Sequence, residues 1–74
     1  MTPQELGRRL RFVRKTRRLT QPTVAKALGV SAPSISRWET GFIGISALQL
    51  RDLARLYNVS ADWFLSDTPL PKTQ

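Results

Sequence analysis

The chain opens on a segment in which apolar residues recur with the period of a helix. They are separated by four and then three residues, which is the spacing of one helical face. They are Leu6, Leu10 and Val13. In the preceding stretch TPQE, Thr2 can cap a helix, Pro3 suits its first position and Glu5 can reach back to the cap. The pattern fails near Leu19, so we predict a first helix over residues 3–17.

Two later segments, TQPTVAKALG and SAPSISRWETG, begin with the same layout of a hydroxyl residue, one further residue and a proline. Proline fits the first turn of a helix, because the N–H that it lacks would have no partner within the helix there. Thr20 and Ser31 can therefore be the N-caps. The residue before a proline avoids the helical conformation, which makes Gln21 and Ala32 the alternative caps. The sequence leaves both registers open.

A glycine stands where the apolar pattern of each of these segments ends. Gly29 and Gly41 can adopt the left-handed conformation that terminates a helix. We therefore predict helices over residues 21–28 and 32–40. The connection between them is short, so the two helices must cross sharply as a helix-turn-helix.

The last third of the chain contains two more helix patterns after the apolar loop FIGIS. Ser46 can cap a fourth helix over residues 47–57, which Asn58 can end, and Ser60 can cap a short fifth helix over residues 61–65. The predicted buried stripe of the fourth helix comprises Ala47, Leu50, Leu53, Ala54 and Tyr57.

These patterns predict an all-α fold, a compact five-helix domain over residues 1–66 with a central helix-turn-helix. We find no strand alternation, internal repeat or second domain. Residues 67–74 are polar and rich in proline, and we predict a flexible C-terminal tail. The tail could be a natural C-terminus or the beginning of a linker to a further domain.

Composition excludes several classes of function. A chain of 74 residues holds one small domain, and it contains neither cysteine nor histidine. Disulfides, thiolate nucleophiles and His/Cys metal sites are thereby excluded, and no pair of carboxylates is clustered for acid–base work. We predict that the protein is not an enzyme and needs no metal or cofactor. No long apolar run or signal sequence is present, so we expect a cytoplasmic protein without a membrane partner.

Charge gives the clearest indication of a partner. Twelve lysines and arginines against five acids give a net charge of +7. Eight of the basic residues lie between Arg8 and Lys26 with no acid among them. Such a stripe repels itself unless it meets a polyanion, which favours nucleic acid. A merely solvated basic face is the alternative, and a membrane surface is disfavoured because the segment has few apolar positions.

Residues 21–41, QPTVAKALGVSAPSISRWETG, resemble the Cro/repressor-type helix-turn-helix family of phage and bacterial transcription regulators, also described as lambda-repressor-like or Xre-like. NVSADWFL near the end is similar to the same family, and the likeness extends over about residues 6–65. The resemblance implies a lambda-repressor-like DNA-binding domain with its third helix in the major groove and its second helix across the groove edge. It also implies a homodimer on a pseudo-palindromic operator of double-stranded DNA.

Given this resemblance, the predicted base-reading residues lie at the starts of the second and third helices. They are Gln21, Ala32, Pro33, Ser34, Ser36 and Arg37. Ala32 and Pro33 can contact a thymine methyl group, although Pro33 could serve only to rigidify the helix start. Arg37 can bind guanine O6 and N7 or, alternatively, a phosphate. The family uses the Gln21 position to bind phosphate or to brace a reading side chain, and the two serine hydroxyls could instead bind helix carbonyls.

A second set of residues is predicted to contact DNA phosphates. They are Arg11, Arg14, Arg18, Thr20, Thr40, Phe42, Ile43 and Gly44. In the loop after Gly41 the backbone N–H groups would make these contacts, because the side chains are apolar. Arg14 and Glu39 match a partly buried ion pair of the family. Glu39 is the only acid between Glu5 and Asp52, so a cation must neutralise it beside DNA.

The apolar loop departs from the family, which often carries basic or polar residues and a proline in this segment. Exposed apolar residues need a partner, and in the family this loop and the fifth helix form the dimer contact. We therefore predict that a homodimer interface includes Phe42, Ile43, Ile45 and Trp63. The alternative is that these side chains close the core.

A Cro-like or repressor-like, sequence-specific regulator is the function that these features favour. Restriction-modification controllers, activators and antitoxins with the same domain are alternatives, and an activator would also need a surface for RNA polymerase. A basic protein-interaction module is a further alternative from a different class. The sequence gives neither the operator nor the direction of regulation.

Overall fold

The computed structural model describes residues 1–66, 69 and 70, and contains five helices in the predicted order. They are α1 (Pro3–Thr16), α2 (Gln21–Leu28), α3 (Ala32–Thr40), α4 (Ala47–Tyr57) and α5 (Ala61–Phe64). The all-α, five-helix prediction is confirmed, and the described part contains no strand. The predicted tail at residues 67–74 falls mostly outside the described residues.

Two helices end one residue earlier than the sequence predicts. Arg17 caps α1, because the next residue, Arg18, has a left-handed backbone (φ 58°) that the helix cannot continue through. Leu65 caps α5 with φ −97° and ψ 2°, outside regular helical geometry. Both differences concern the last position of a helix only.

The N-caps of α2 and α3 are Thr20 and Ser31, so one of the two registers that the sequence left open is selected. The Thr20 hydroxyl accepts the N–H of Thr23 at 3.2 Å, and the Ser31 hydroxyl accepts the N–H of Ser34 at 3.3 Å. Each proline then occupies the second helical position, where its missing N–H leaves no gap in the helical ladder. Neither proline breaks its helix.

The turn between α2 and α3 is built on Gly29, whose φ of 71° is strained for a residue with a side chain. The following N–H, of Val30, donates to the carbonyl of Ala25 at 3.0 Å and so closes the end of α2. Only residues 29–31 separate the two helices. This short turn fixes the angle at which α3 leaves α2.

One core joins all five helices. α1 packs mainly on α3, α2 also packs on α3, and α5 closes against α1 and α4. The buried apolar residues are Leu10, Val13, Val24, Ala25, Ile35, Trp38, Leu50, Leu53, Ala54, Tyr57 and Phe64. α3 is therefore held from the back by two helices, which leaves its other face free for a partner.

Gly7 in α1 allows the backbones of α1 and α3 to approach closely. A Cβ atom at this position would lie 2.5 Å from the carbonyl oxygen of Trp38 and would also collide with the carbonyl of Glu39. The sequence patterns above do not single out Gly7. Glycine within a predicted helix, where alanine is favoured, is the signal that could have identified it. The close approach places the end of α3 directly against α1.

Candidate nucleic-acid interface

The outer face of α3 carries three exposed side chains, Pro33, Arg37 and Thr40, whose spacing of four and three residues places them on the same side of the helix. Ile35 and Trp38 are buried on the opposite side. The other predicted base-reading residues of α3 are half-buried, namely Ala32, Ser34 and Ser36. Thus α3 offers a rigid surface with an apolar, donor-free start and a guanidinium one turn later.

Local hydrogen bonds occupy several of the predicted hydroxyl groups. The Ser34 hydroxyl lies 3.0 Å from that of Ser31, and the Thr40 hydroxyl donates to the Ser36 carbonyl at 3.1 Å. The Thr20 hydroxyl lies 2.9 Å from that of Thr23. The Thr40 hydroxyl thus binds helix carbonyls, whereas the Ser34 hydroxyl pairs with another hydroxyl, and the alternative that Ser34 and Ser36 bind helix carbonyls stays a prediction. Each hydroxyl still has acceptor capacity for a further donor.

The structure brings Arg14 and Glu39 together in a buried, two-point ion pair. Arg14 Nε lies 2.6 Å from Glu39 Oε2, and Arg14 Nη2 lies 3.0 Å from Oε1. Their side chains are 10% and 3% exposed. The hydrogen bond with Glu39 raises the pKa of Arg14 above its ordinary value, so the guanidinium stays charged. The pair fixes the end of α3 to α1 in the geometry that suits a guanidinium and a carboxylate.

Two further hydrogen bonds extend this ion pair to the start of α2. Arg14 Nη1 donates to the carbonyl of Leu19 at 2.8 Å, and Gln21 Nε2 donates to Glu39 Oε1 at 3.2 Å. Gln21 is therefore bound to Glu39, which is not a predicted base-reading residue, and its use to bind phosphate or to brace a reading side chain stays a prediction. Three nitrogens of Arg14 are engaged inside the protein, so its predicted phosphate contact would depend on the remaining N–H groups.

Beside the ion pair lies Tyr57, which is fully buried in the core. Burial raises the pKa of this phenol, and the negative charge of Glu39 raises it further. The tyrosine is therefore neutral at physiological pH and adds no charge behind α3.

Two arginines of the basic stripe make contacts that serve the fold. Arg9 is only 6% exposed, and its guanidinium carbon lies 5.0 Å from the centre of the Trp63 ring. Its Nη1 also donates to the Trp63 carbonyl at 3.3 Å. Arg17 Nε donates to the Tyr57 carbonyl at 2.9 Å, where a cation suits the C-terminal end of α4. The remaining exposed cations of the stripe are Arg8, Arg11, Lys15, Arg18 and Lys26.

The burial of Arg9 was not predicted, although its position in the sequence indicates it. Arg9 lies three residues after Leu6 and four before Val13, so it shares their face of α1. A charged residue on an apolar face requires a partner, here the ring and carbonyl of Trp63.

Two N–H groups of the loop after α3 are engaged within the protein. Those of Phe42 and Ile43 both donate to the Arg37 carbonyl, at 3.0 and 3.4 Å. They close the end of α3, so both N–H groups already have an acceptor within the protein, and their contact with phosphates stays a prediction. All three loop residues are exposed, and among the described residues the N–H of Gly44 donates no such backbone hydrogen bond.

The structure divides the four predicted interface residues into two pairs. Phe42 and Ile43 are 79% and 49% exposed, whereas Ile45 and Trp63 are half-buried against the core. Further large apolar side chains that were not predicted to lie at the surface are also exposed, namely Met1, Leu48, Leu56 and Leu65. The signal for Leu48 is its position off the buried stripe of α4.

Within residues 1–66, 69 and 70, no helix is long and apolar enough to cross a membrane. The same residues hold no group of three or more acidic, histidine or cysteine side chains arranged for a metal ion.

Residues 5–63 match a family profile described as a helix-turn-helix domain. The chain is 40% identical over 62 residues to an uncharacterised transcriptional regulator in the ATPase CF(0) region of Rhodospirillum rubrum, covering 84% of this chain and 57% of that protein. It is 37% identical over 60 residues to the HTH-type transcriptional regulator DicA of Escherichia coli (strain K12), covering 81% of this chain and 44% of DicA. The chain spans about half the length of these curated relatives.

The fold is similar to that of the P22 c2 repressor protein, whose crystal structure was solved in complex with a synthetic operator. The TM-score is 0.74 at 30% sequence identity, and the match covers 80% of this chain and 89% of that one. Both sequence relatives are named as transcriptional regulators, in agreement with the prediction of a non-enzymatic protein.

Proposed function

This chain belongs to the helix-turn-helix domain family, and we propose that it represses transcription by occupying an operator. Its relatives described above include a transcriptional regulator and a repressor solved with a synthetic operator. Membership confirms the resemblance predicted from residues 21–41. In the proposed complex a homodimer binds a pseudo-palindromic duplex with α3 of each copy in the major groove.

The observation that carries the proposal is the exposed face of α3 with Pro33 and Arg37. Arg37 presents a planar set of N–H donors that fits guanine O6 and N7, whereas Ala32 and Pro33 fit the methyl group of thymine. The ion pair of Arg14 and Glu39 supports the same proposal, because it holds α3 rigidly from behind. A fixed helix can discriminate bases, since a misplaced donor loses its hydrogen bond.

Phosphate contacts are proposed for the exposed residues around α3. These are Arg11, Arg18, Thr20, Thr40 and Gly44. The +7 charge attracts DNA from a distance, and cations at the surface release counterions from the duplex when they bind it. These contacts position the protein without reading the sequence.

The proposed dimer interface is formed by the exposed apolar residues of the loop after α3. Phe42 and Ile43 are its leading members, and the half-buried Ile45 and Trp63 support it from below. A two-fold interface needs the same patch on both copies, which a single exposed loop provides.

Selection from a random duplex library, followed by titration of the enriched site at several salt concentrations, tests the proposal. We expect a two-fold symmetric site with half-sites about one helical turn apart. The proposal would be contradicted if the selection enriched no sequence and binding only fell steeply with salt. The basic surface would then attract phosphates without regard to sequence.

Replacing Arg37 by alanine should relax the preference at one base pair of each half-site. We expect a loss of about 1–3 kcal/mol per half-site on the selected operator and little loss on random DNA, because a bidentate base contact is removed. Gel-shift titration of both duplexes measures the difference. Arg55→Ala removes the same charge from the exposed surface of α4 and is the matched control. An equal loss on both duplexes would assign Arg37 to phosphate instead.

A further inference from the structure

Four residues of the described part adopt a left-handed backbone, and one of them is unexpected. Gly29, Gly41 and Asn58 have φ values of 71°, 76° and 59°, and end α2, α3 and α4. Glycine takes this conformation without strain, and asparagine tolerates it. The fourth is Arg18, with φ 58°, just after the end of α1. An arginine here brings its Cβ close to the following carbonyl, which destabilises the fold relative to glycine.

No contact of the Arg18 side chain within the described residues offsets this strain. The side chain is exposed, and among those residues no hydrogen bond or ion pair is made by its guanidinium. Its sequence neighbours are cations, including Lys15 and Arg17, so its charge adds repulsion. Both the backbone conformation and the charge of Arg18 therefore work against stability.

The backbone around Arg18 is nevertheless held firmly. The N–H of Arg18 donates to the Lys15 carbonyl at 2.9 Å, and the N–H of Leu19 donates to the Arg14 carbonyl at 3.1 Å. The Leu19 carbonyl in turn accepts Arg14 Nη1, which belongs to the buried ion pair. Arg18 thus projects from a fixed turn two residues before Thr20, the N-cap of the helix proposed to lie across the groove edge.

We infer that Arg18 is an anchoring contact to the DNA phosphodiester backbone, and that its strained conformation persists because this contact requires a cation at the α1–α2 turn. Strained residues concentrate at functional sites, where stability is lost in favour of binding. The inference rests on the proposed function, and it distinguishes Arg18 from the other exposed cations of α1. Those occupy ordinary helical positions, where a charged side chain causes no backbone strain.

Arg18→Gly tests the inference, because it should change stability and binding in opposite directions. We expect the Tm to rise by about 4 °C as the strain is removed. Affinity for the selected operator duplex should fall about tenfold at low salt. Because the operator binds two copies of the chain, the slope of log K against log salt should become shallower by about 1.8, which corresponds to one lost phosphate contact in each half-site.

Three variants serve as controls. Arg18→Asn suits the left-handed backbone without a charge and should behave as Arg18→Gly does. Arg18→Lys keeps both charge and strain, so its Tm should stay near that of the wild type and its salt slope should be retained. Arg55→Ala removes an exposed charge from α4 and should leave operator affinity within about twofold.

The possible results separate this inference from the proposed function. If the wild type selects no operator, the proposed function fails. If the wild type binds an operator and Arg18→Gly binds it equally tightly with the same salt slope, the anchoring contact alone is overturned. A lower Tm for both Arg18→Gly and Arg18→Asn would overturn the inference that the backbone conformation of Arg18 destabilises the fold.

Discussion

Replacing Glu39 by glutamine is expected to lower the free energy of unfolding by about 3–5 kcal/mol. The substitution hardly changes the shape of the side chain, so no cavity is created. It removes the negative charge with which Arg14 pairs, and the Arg14 side chain is 10% exposed and cannot turn to solvent without breaking its bond to Leu19. An unpaired guanidinium in this position is strongly destabilising.

Urea denaturation at neutral pH measures this effect, and the chain provides its own control. Arg51 and Asp52 form a second ion pair with a distance of 3.3 Å, and their side chains are 51% and 45% exposed. Asp52→Asn should therefore cost less than about 0.5 kcal/mol, since solvent already screens that pair. If the Glu39 and Asp52 variants lost similar amounts, the buried pair would not be what holds α3 to α1.

The ion pair also joins stability to the proposed activity. Glu39 lies at the end of α3 and contacts both Arg14 and Gln21, so its loss weakens the attachment of α3 to α1 and to the start of α2 at once. We therefore regard the pair as a positioning device for the exposed face with Pro33 and Arg37. Its contribution to DNA binding is indirect, through the angle of α3.

The helices were predictable because the signals that define them are local. A capping hydroxyl and the N–H that it accepts are three residues apart, and the glycines that end α2 and α3 act on their own backbone. The helical apolar spacing likewise needs only one turn of chain to be recognised. The register of Thr20 and Gln21 stayed open because two local preferences opposed each other, and the structure shows that hydroxyl capping prevailed.

The features that sequence reasoning missed depend on a distant contact or on the detailed backbone geometry at helix ends. Arg9 is buried because Trp63 packs against it from 54 positions further along the chain. The N–H groups of Phe42 and Ile43 look available in the sequence, yet the geometry at the end of α3 directs both to one carbonyl. The left-handed backbone of Arg18 has no signal in its residue type, which argues against such a conformation.

Replacing Gly7 by alanine is expected to have the second large effect on stability. Two opposing contributions decide whether the protein is stabilised or destabilised. In an exposed helix interior, glycine to alanine stabilises by about 1 kcal/mol through helix propensity. At Gly7 the new Cβ would meet the backbone carbonyls of Trp38 and Glu39, which cannot rotate away as a side chain would. We expect overpacking to win, with a net loss of about 1–3 kcal/mol in Gly7→Ala.

Thermal unfolding of Gly7→Ala should show a Tm lower by several degrees, whereas Gly44→Ala should be nearly neutral. Gly44 has open space where its Cβ would lie and no positive φ, so it isolates the effect of adding a methyl group to this chain. Forcing α1 away from the end of α3 should also lengthen the contact between Arg14 and Glu39, so operator affinity should fall together with stability. A Gly7→Ala protein that gained stability would show that propensity prevails and that α1 and α3 are not in close backbone contact at this position.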